Sequence, residues 1–353
     1  MDNIAVFVKN LTSGGAEKQS ILLAKALSGH YKVHYIIFNG RKVHQKYMDM
    51  LNEDAKIYVK FFEGGHIYRY RELVRFLMKN NIKAIFSYLT AANFYACMAG
   101  RSVHAKVFTG LRNAELPFLK CLSDRFLTNN IAEKAISNSF SGKINFVSKG
   151  FDEHKIVVIP NCFDNIRPYI SKGINKKIHI ITVGRFVQQK DYETAIHAIS
   201  LLRDRYNNVV FDIVGYGELE EQVRGWVKKY KIDDITTIYI NPNNIPELLD
   251  KADIYLSTSL FEGTSNSIME AMNADLPIVA TNVGDNSQLV KNNVNGFLCE
   301  KKNWVDIASK LEILVKDDIL RQEKGEESKK LLRANYSIDK FRQSYIDFLL
   351  KYM

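Results

Sequence analysis

The chain has 353 residues, 46% hydrophobic and 25% charged, a length and composition that suit two domains, each with a sizeable core. No apolar run reaches the ~18 residues of a membrane span, and "MDNIAVFVKNLTSGG" has neither the basic start nor the cleavage site of a signal peptide. Cys97, Cys121, Cys162 and Cys299 are scattered, without the close pairs of a zinc or redox motif, so a cytosolic location is the simplest expectation. The formal net charge of +10 is unevenly spread: residues 1–165 carry 23 Lys+Arg against 13 Asp+Glu, and the remainder carries 26 of each.

In chain order, "NIAVFVK" reads as a buried strand, "LTSGG" as a turn ending in Gly14 and Gly15, "AEKQSILLAKAL" as a helix and "VHYIIF" as a strand. The basic stretch "HIYRYRELVRFLMKNNIK" reads as a helix in which Arg71, Arg75 and Lys79 recur every four residues. It is either a solvated surface or an attraction to a polyanion, an acidic membrane or a nucleic acid; no nucleic-acid recognition motif accompanies it. Strand-like runs follow at "AIFSYL", "KVFTG", "KAISNS" and "IVVIP". The polar stretch "NCFDNIRPYISKGINKK" reads as a linker. Beyond it the pattern restarts with "IHIITVG", "VVFDIVG", "TTIYI", "DIYLST" and "LPIVAT", helices lying between. Continuous apolar strands alternating with helices predict parallel sheets covered on both faces. The expected fold is therefore α/β, with two doubly wound parallel-sheet domains at 1–165 and 175–336 and an amphipathic helix at 337–353.

Such sheets bind ligands at the carboxyl ends of their strands, and two facing domains would hold a ligand in the cleft between them. In "SLFEGTSNSIMEAM" a strand ends and the loop Phe261-Glu262-Gly263-Thr264 leads into a helix with Ser265 or Asn266 as N-cap. A helix start favours a phosphate or hydroxyl-rich ligand, and Gly263 permits close backbone approach. Glu262 and Glu270 are carboxylates suited to vicinal hydroxyls; a capped helix with solvated acids is the plainer reading. "TVGRFVQQKDYETAI" leaves a strand at Gly184 and carries Arg185 and Lys190, a fork and a point charge that suit a diphosphate. "IVGYGELEEQV" places Gly215 and Gly217 in a strand-to-helix turn where backbone can approach a nucleoside. Gly14 and Gly15 open a helix, an ordinary turn when taken alone.

As a set, "GGAE" (14–17), "GRFVQQKD" (184–191), "VGYG" (214–217), "EGTSNSIMEAM" (262–272) and "NGFL" (295–298) resemble the retaining glycosyltransferases of family 4, across essentially the whole chain. That resemblance implies the GT-B fold, with the first domain binding acceptor, the second binding donor, and the last helix crossing back to the first. It implies that Arg185 and Lys190 hold the diphosphate of a UDP-sugar, that Glu270 takes the ribose hydroxyls and that Glu262 faces the donor sugar. Gly184, Gly215 and Gly217 would line the donor site, and Ile240 and Asn241 would lie near the base. The backbone of Gly263, Thr264, Ser265 and Asn266 would cradle sugar and phosphate, and Gly15 would approach the phosphate once the cleft closes. No metal or other cofactor is implied, and the chain has no D-x-D.

The sequence departs from the family where a histidine often follows the strand "AKVFTG": here stand Arg112 and Asn113, which with Gly14 are candidates for the acceptor or the donor sugar. Arg112 is either a contact for sugar or acceptor phosphate, or a surface salt-bridge arginine. A "GGxxE" pattern is replaced by "GDNSQ" (284–288). The expected acceptor is a bacterial glycan carried on a membrane lipid diphosphate, met at the cytosolic face of the inner membrane through the basic first domain. A nucleotide-sugar 2-epimerase and a non-catalytic nucleotide-sugar or polyanion binder are the alternatives.

Overall fold

Strand β1 (Asn3–Val8) shows why this chain builds three layers. Successive strand residues face opposite ways, and here both ways are apolar: Ile4, Val6 and Val8 enter one buried cluster, Ala5 and Phe7 another. Helices Gly15–Leu27 and Ile338–Tyr352 cover the first face, and His66–Lys79 and Thr90–Val103 cover the second. The computed structural model describes all residues except 13, 113–115, 172 and 174–176. The chain divides into two units, Met1–Asp164 with Tyr336–Met353, and Asn165–Asn335.

In the first unit β2 (Lys32–Ile37), β3 (Ile57–Phe61), β4 (Ile82–Tyr88), β5 (Lys106–Leu111), β6 (Lys134–Ser137) and β7 (Ile156–Val158) join β1 in one parallel sheet of order β3-β2-β1-β4-β5-β6-β7. The order reverses between β1 and β4. The C-terminal helix belongs to this unit: Phe341, Tyr345 and Phe348 are buried in its core, and Arg342 Nε donates to the Ala26 carbonyl at 3.0 Å. β3 escapes sequence reading because it is an edge strand, with Tyr58 and Phe61 exposed and no continuous apolar run.

The second unit repeats the plan with β8 (Ile178–Val183), β9 (Val209–Gly215), β10 (Thr236–Ile240), β11 (Ile254–Ser257), β12 (Ile278–Thr281) and β13 (Gly296–Cys299). All are parallel, in the order β10-β9-β8-β11-β12-β13, and this sheet reverses between β8 and β11. Both units are Rossmann-like, and among the described residues no helix is long and apolar enough to cross a membrane.

His34 in β2 gives the first unit a pH dependence. It is buried, its Nδ1 has no partner among the described residues, and it stacks on Tyr58 with ring centroids 5.4 Å apart. Burial, and then the charge of Lys32, push its pKa down to about 4. The unfolded chain takes up this proton near its ordinary value of about 6.5, so stability falls as pH drops from there towards 4. Lowering the pH from about 7 to about 4.5 should cost the wild type about 2 kcal/mol more than His34→Gln, measured by urea unfolding followed on the first unit. Equal losses would show that His34 is not the titrating group.

Candidate functional site

At a reversal of strand order the two neighbouring loops diverge and leave a crevice above the sheet. In the second unit those loops follow β8 and β11. The β8 loop starts at Gly184, whose N–H donates to Val214 at 3.0 Å and whose carbonyl accepts from the Tyr192 hydroxyl at 2.8 Å. It tightens into a 3₁₀ turn at Gln188–Lys190 before helix Tyr192–Arg203. The β11 loop is laced to it: Leu260 N–H donates to Gln189 O at 2.8 Å, Gln189 Nε2 to Phe261 O at 2.8 Å, and Thr258 Oγ1 to the carbonyls of Lys190 and Asp191.

The strongest link is ionic. Lys190 Nζ donates to Glu262 Oε1 at 2.5 Å, and Ser259 Oγ donates to the same oxygen at 2.7 Å. Their side chains are 19% and 9% exposed, so water screens the pair weakly. Arg185, on the same loop directly after Gly184, is exposed. Glu270, half-buried, lies on helix Asn266–Asn273. Tyr255 ties the two glutamates together: burial first, and then the charges of Glu270 and Glu262, raise its pKa. The Tyr255 hydroxyl donates to Val183 O at 3.2 Å.

Ser265 occupies the N-cap position, but its hydroxyl pairs with Ser267 Oγ at 3.2 Å and makes no capping bond to the helix. The first N–H groups of that helix thus receive no side-chain cap from Ser265. Gly263 and Asn266 are exposed, and Thr264 is half-buried. Gly215 and Gly217 have a packing reason: a Cβ at Gly215 would stand 1.9 Å from Gly184 O, and one at Gly217, with φ +152°, 2.5 Å from Phe186 O. Asn241, with φ +45°, donates its N–H to Gly215 O at 3.0 Å beside the partly exposed Ile240. Sequence reading missed Ser259 and Gly284; a Cβ at Gly284 would lie 1.8 Å from Glu262 O, so the first residue of "GDNSQ" backs the glutamate.

Gly14, Gly15 and Arg112 belong to the first unit, and Asn113 lies outside the described residues. Gly14 precedes helix Gly15–Leu27, and its carbonyl accepts from the Tyr47 hydroxyl at 3.1 Å. At the carboxyl ends of β1, β4 and β5 lies a cavity of about 580 Å³ lined by Val8, Glu17, Tyr88, Leu89, Arg112 and Asp124 among others. Leu89, directly after β4, is held at φ +72°, a strained conformation for a bulky residue. Among the described residues Arg112 makes no ion pair. Its Nη1 donates to Asn161 Oδ1 at 2.9 Å, its Nη2 to the Tyr345 hydroxyl at 3.4 Å, and its guanidinium lies over the Tyr88 ring at 4.6 Å, all neutral partners. Asp124, its pKa raised by burial, accepts from Thr90 Oγ1 at 2.6 Å and Asn93 Nδ2 at 3.0 Å, a network that no local spacing in the sequence announces.

Residues 170–331 match the family described as "Glycosyl transferases group 1". An uncharacterized glycosyltransferase of Haemophilus influenzae is 26% identical over 360 residues, covering 98% of this chain and 99% of that protein. The N-acetylgalactosamine-N,N'-diacetylbacillosaminyl-diphospho-undecaprenol 4-alpha-N-acetylgalactosaminyltransferase of Campylobacter jejuni is 23% identical, covering 91% of this chain and 92% of its own. Among solved structures, Anabaena HepE in complex with UDP superposes with a TM-score of 0.82 at 18% identity, over 99% of this chain and 100% of that one.

The Lys190–Glu262 pair should behave as a coupled unit. Lys190→Met strands a shielded carboxylate and should cost about 1–3 kcal/mol of second-unit stability, much of it recovered when Glu262→Gln is added. Thermal unfolding of the two single variants and the double variant checks this. Strictly additive losses would mean the pair contributes no coupling.

Proposed function

We propose that this chain, whose second unit belongs to the group 1 glycosyl transferases and whose fold is GT-B, is a retaining glycosyltransferase. It moves a hexose or N-acetylhexosamine from a UDP-sugar to a growing bacterial glycan carried on a lipid diphosphate. The observation that carries this reading is the Lys190–Glu262 pair at the β8/β11 reversal, on a β8 loop that also carries the exposed Arg185.

In this reading Arg185 and Lys190 hold the donor diphosphate and stabilise the charge that grows on it as the bond to the sugar breaks. Glu262 reaches the sugar hydroxyls while keeping Lys190 oriented, and Glu270 accepts from the ribose hydroxyls. The uncapped helix start at Ser265 and Asn266 adds N–H donors on the anion, and Ile240 and Asn241 border the base. The acceptor hydroxyl attacks the anomeric carbon on the face the diphosphate leaves, and its proton passes to the departing phosphate oxygen. Anomeric configuration is retained without a covalent enzyme intermediate, and the basic pair takes the neutralising role that a metal would otherwise have.

Support comes from relatives as well as geometry. The Campylobacter enzyme's name specifies a diphospho-undecaprenol acceptor, and HepE holds UDP. The excess of basic residues before 165 would draw the chain to an anionic leaflet, placing it at the cytosolic membrane face as a peripheral protein.

Calorimetric titration of UDP, GDP and ADP into the full chain, without metal, tests the donor assignment. UDP should bind most tightly, and Glu270→Ala should weaken it at least tenfold, because a closed site leaves ribose hydroxyls unpaired. Binding of no nucleotide by folded wild type would overturn the transferase reading. An unaltered UDP affinity in Glu270→Ala would overturn the placement of that residue.

A further inference from the structure

The second unit carries a further cavity, of about 720 Å³, within the ~300–1,000 Å³ range of small-molecule sites. It opens where the β8 loop meets helices Tyr192–Arg203, Glu220–Lys229 and Trp304–Lys316, whose apolar sides share one buried cluster with β8 and β9. Among the described residues its lining includes none of Arg185, Lys190, Glu262 or Glu270. Both tryptophans of the chain, Trp226 and Trp304, line it. Trp304 stacks on His197 with ring centroids 4.4 Å apart, and His197 stacks on Tyr230 at 4.5 Å. Three separate parts of the chain thus build one ladder of rings, anchored at Glu193, which accepts from the Tyr230 hydroxyl at 3.3 Å. Burial is the chief influence that lowers the pKa of His197, so the middle ring is uncharged at neutral pH.

The walls select a class of ligand. Trp304 stays 39% exposed with one face against His197, and Trp226 is half-buried. Around them stand the exposed side chains of Gln188, Glu218 and Gln222. The two amides both donate and accept and the carboxylate accepts, so together they can pair with neighbouring hydroxyls. Flat apolar rings beside such groups suit a pyranose, which has a face of C–H groups and a rim of hydroxyls. An organic cation would also use the rings, but little negative charge is left to select one. Glu193 accepts from Lys229 Nζ at 2.8 Å, Asp191 accepts from Thr194 Oγ1 at 2.7 Å, and Lys302 adds positive charge to the lining.

We propose that this cavity is a second ligand site that binds a neutral oligosaccharide, one sugar ring lying on Trp304 with its hydroxyls bonded to Gln188, Glu218 and Gln222. The site is separate from the donor crevice, so saccharide occupies it whether or not nucleotide is bound. That the cavity takes a saccharide rests on its own walls; that this saccharide is a stretch of the growing glycan rests on the transferase reading. In that reading, a glycan held at a second point has a raised effective concentration at the enzyme between successive additions.

Because both tryptophans line the cavity, the tryptophan fluorescence of the full chain reads it directly. The test titrates two neutral tetrasaccharides, chitotetraose and maltotetraose, and the cation choline, each with and without saturating UDP. At least one tetrasaccharide should shift the emission saturably, and equally in the presence of UDP, while choline leaves it unchanged. Trp304→Ala, read through Trp226, should weaken that binding roughly tenfold or more, and Gln222→Ala, at an exposed helix position, should weaken it severalfold. UDP affinity, measured by calorimetry, should be unchanged in both variants, which also shows that they are folded. No saturable shift with either tetrasaccharide in a wild type that binds UDP would overturn the proposal while the donor assignment stands. So would choline binding more tightly than sugar, sugar displaced by UDP, or sugar binding equal in wild type and both variants. A wild type that binds tetrasaccharide but no nucleotide would keep this site and overturn the transferase reading.

Discussion

The pairing of Lys190 with Glu262 is the constraint around which the second unit's strand ends are arranged. The two residues lie 72 positions apart, on loops that leave opposite sides of the strand-order reversal. Bringing an ammonium and a carboxylate together in a partly dry place requires both backbones to be fixed. Thr258, Gln189 and Leu260 do this from the loops themselves, and Gly284 does it from behind by letting its backbone press against the Glu262 carbonyl. A β-carbon at Gly284 or Gly215 would push the loops apart, so the glycines serve the ion pair before they serve any ligand.

The two units use the same topology with different chemistry. Each places its polar residues where sheet order reverses, at β1/β4 and at β8/β11. In the second unit the Lys190 charge is matched by a carboxylate within the protein, and Arg185 on the same loop is exposed. In the first unit the described partners of Arg112 are neutral, and it lies at the margin of a largely apolar cavity. A site that already contains its counter-charge can exchange that partner for a ligand as it binds and releases.

Much of the fold was legible in the sequence because parallel strands buried on both faces write themselves as unbroken apolar runs, as β1, β8 and β9 do. β3 was not, since an edge strand with exposed Tyr58 and Phe61 carries no such run. In the candidate site, Arg185, Lys190 and Glu262 in strand-end loops and Glu270 in the following helix were legible from strand-to-helix spacing. Their mutual arrangement was not: the Lys190–Glu262 pair is a long-range fact. Arg112 was open between two readings for the same reason, because its partner Tyr345 lies 233 residues away. Gly215 and Gly217, expected to line the donor site, also each have a close backbone neighbour that no local spacing announces.

If the exposed Arg185 and the paired Lys190 form a diphosphate cradle, affinity should depend on the phosphates rather than on the nucleoside. The decisive comparison is the affinity of UDP against uridine, in wild type and in Arg185→Met, measured by calorimetry on the full chain. A diphosphate cradle predicts that wild type prefers UDP by at least tenfold and that Arg185→Met loses most of that preference while uridine binding holds. A preference for UDP that survives intact in Arg185→Met, or no preference in the wild type, would contradict it.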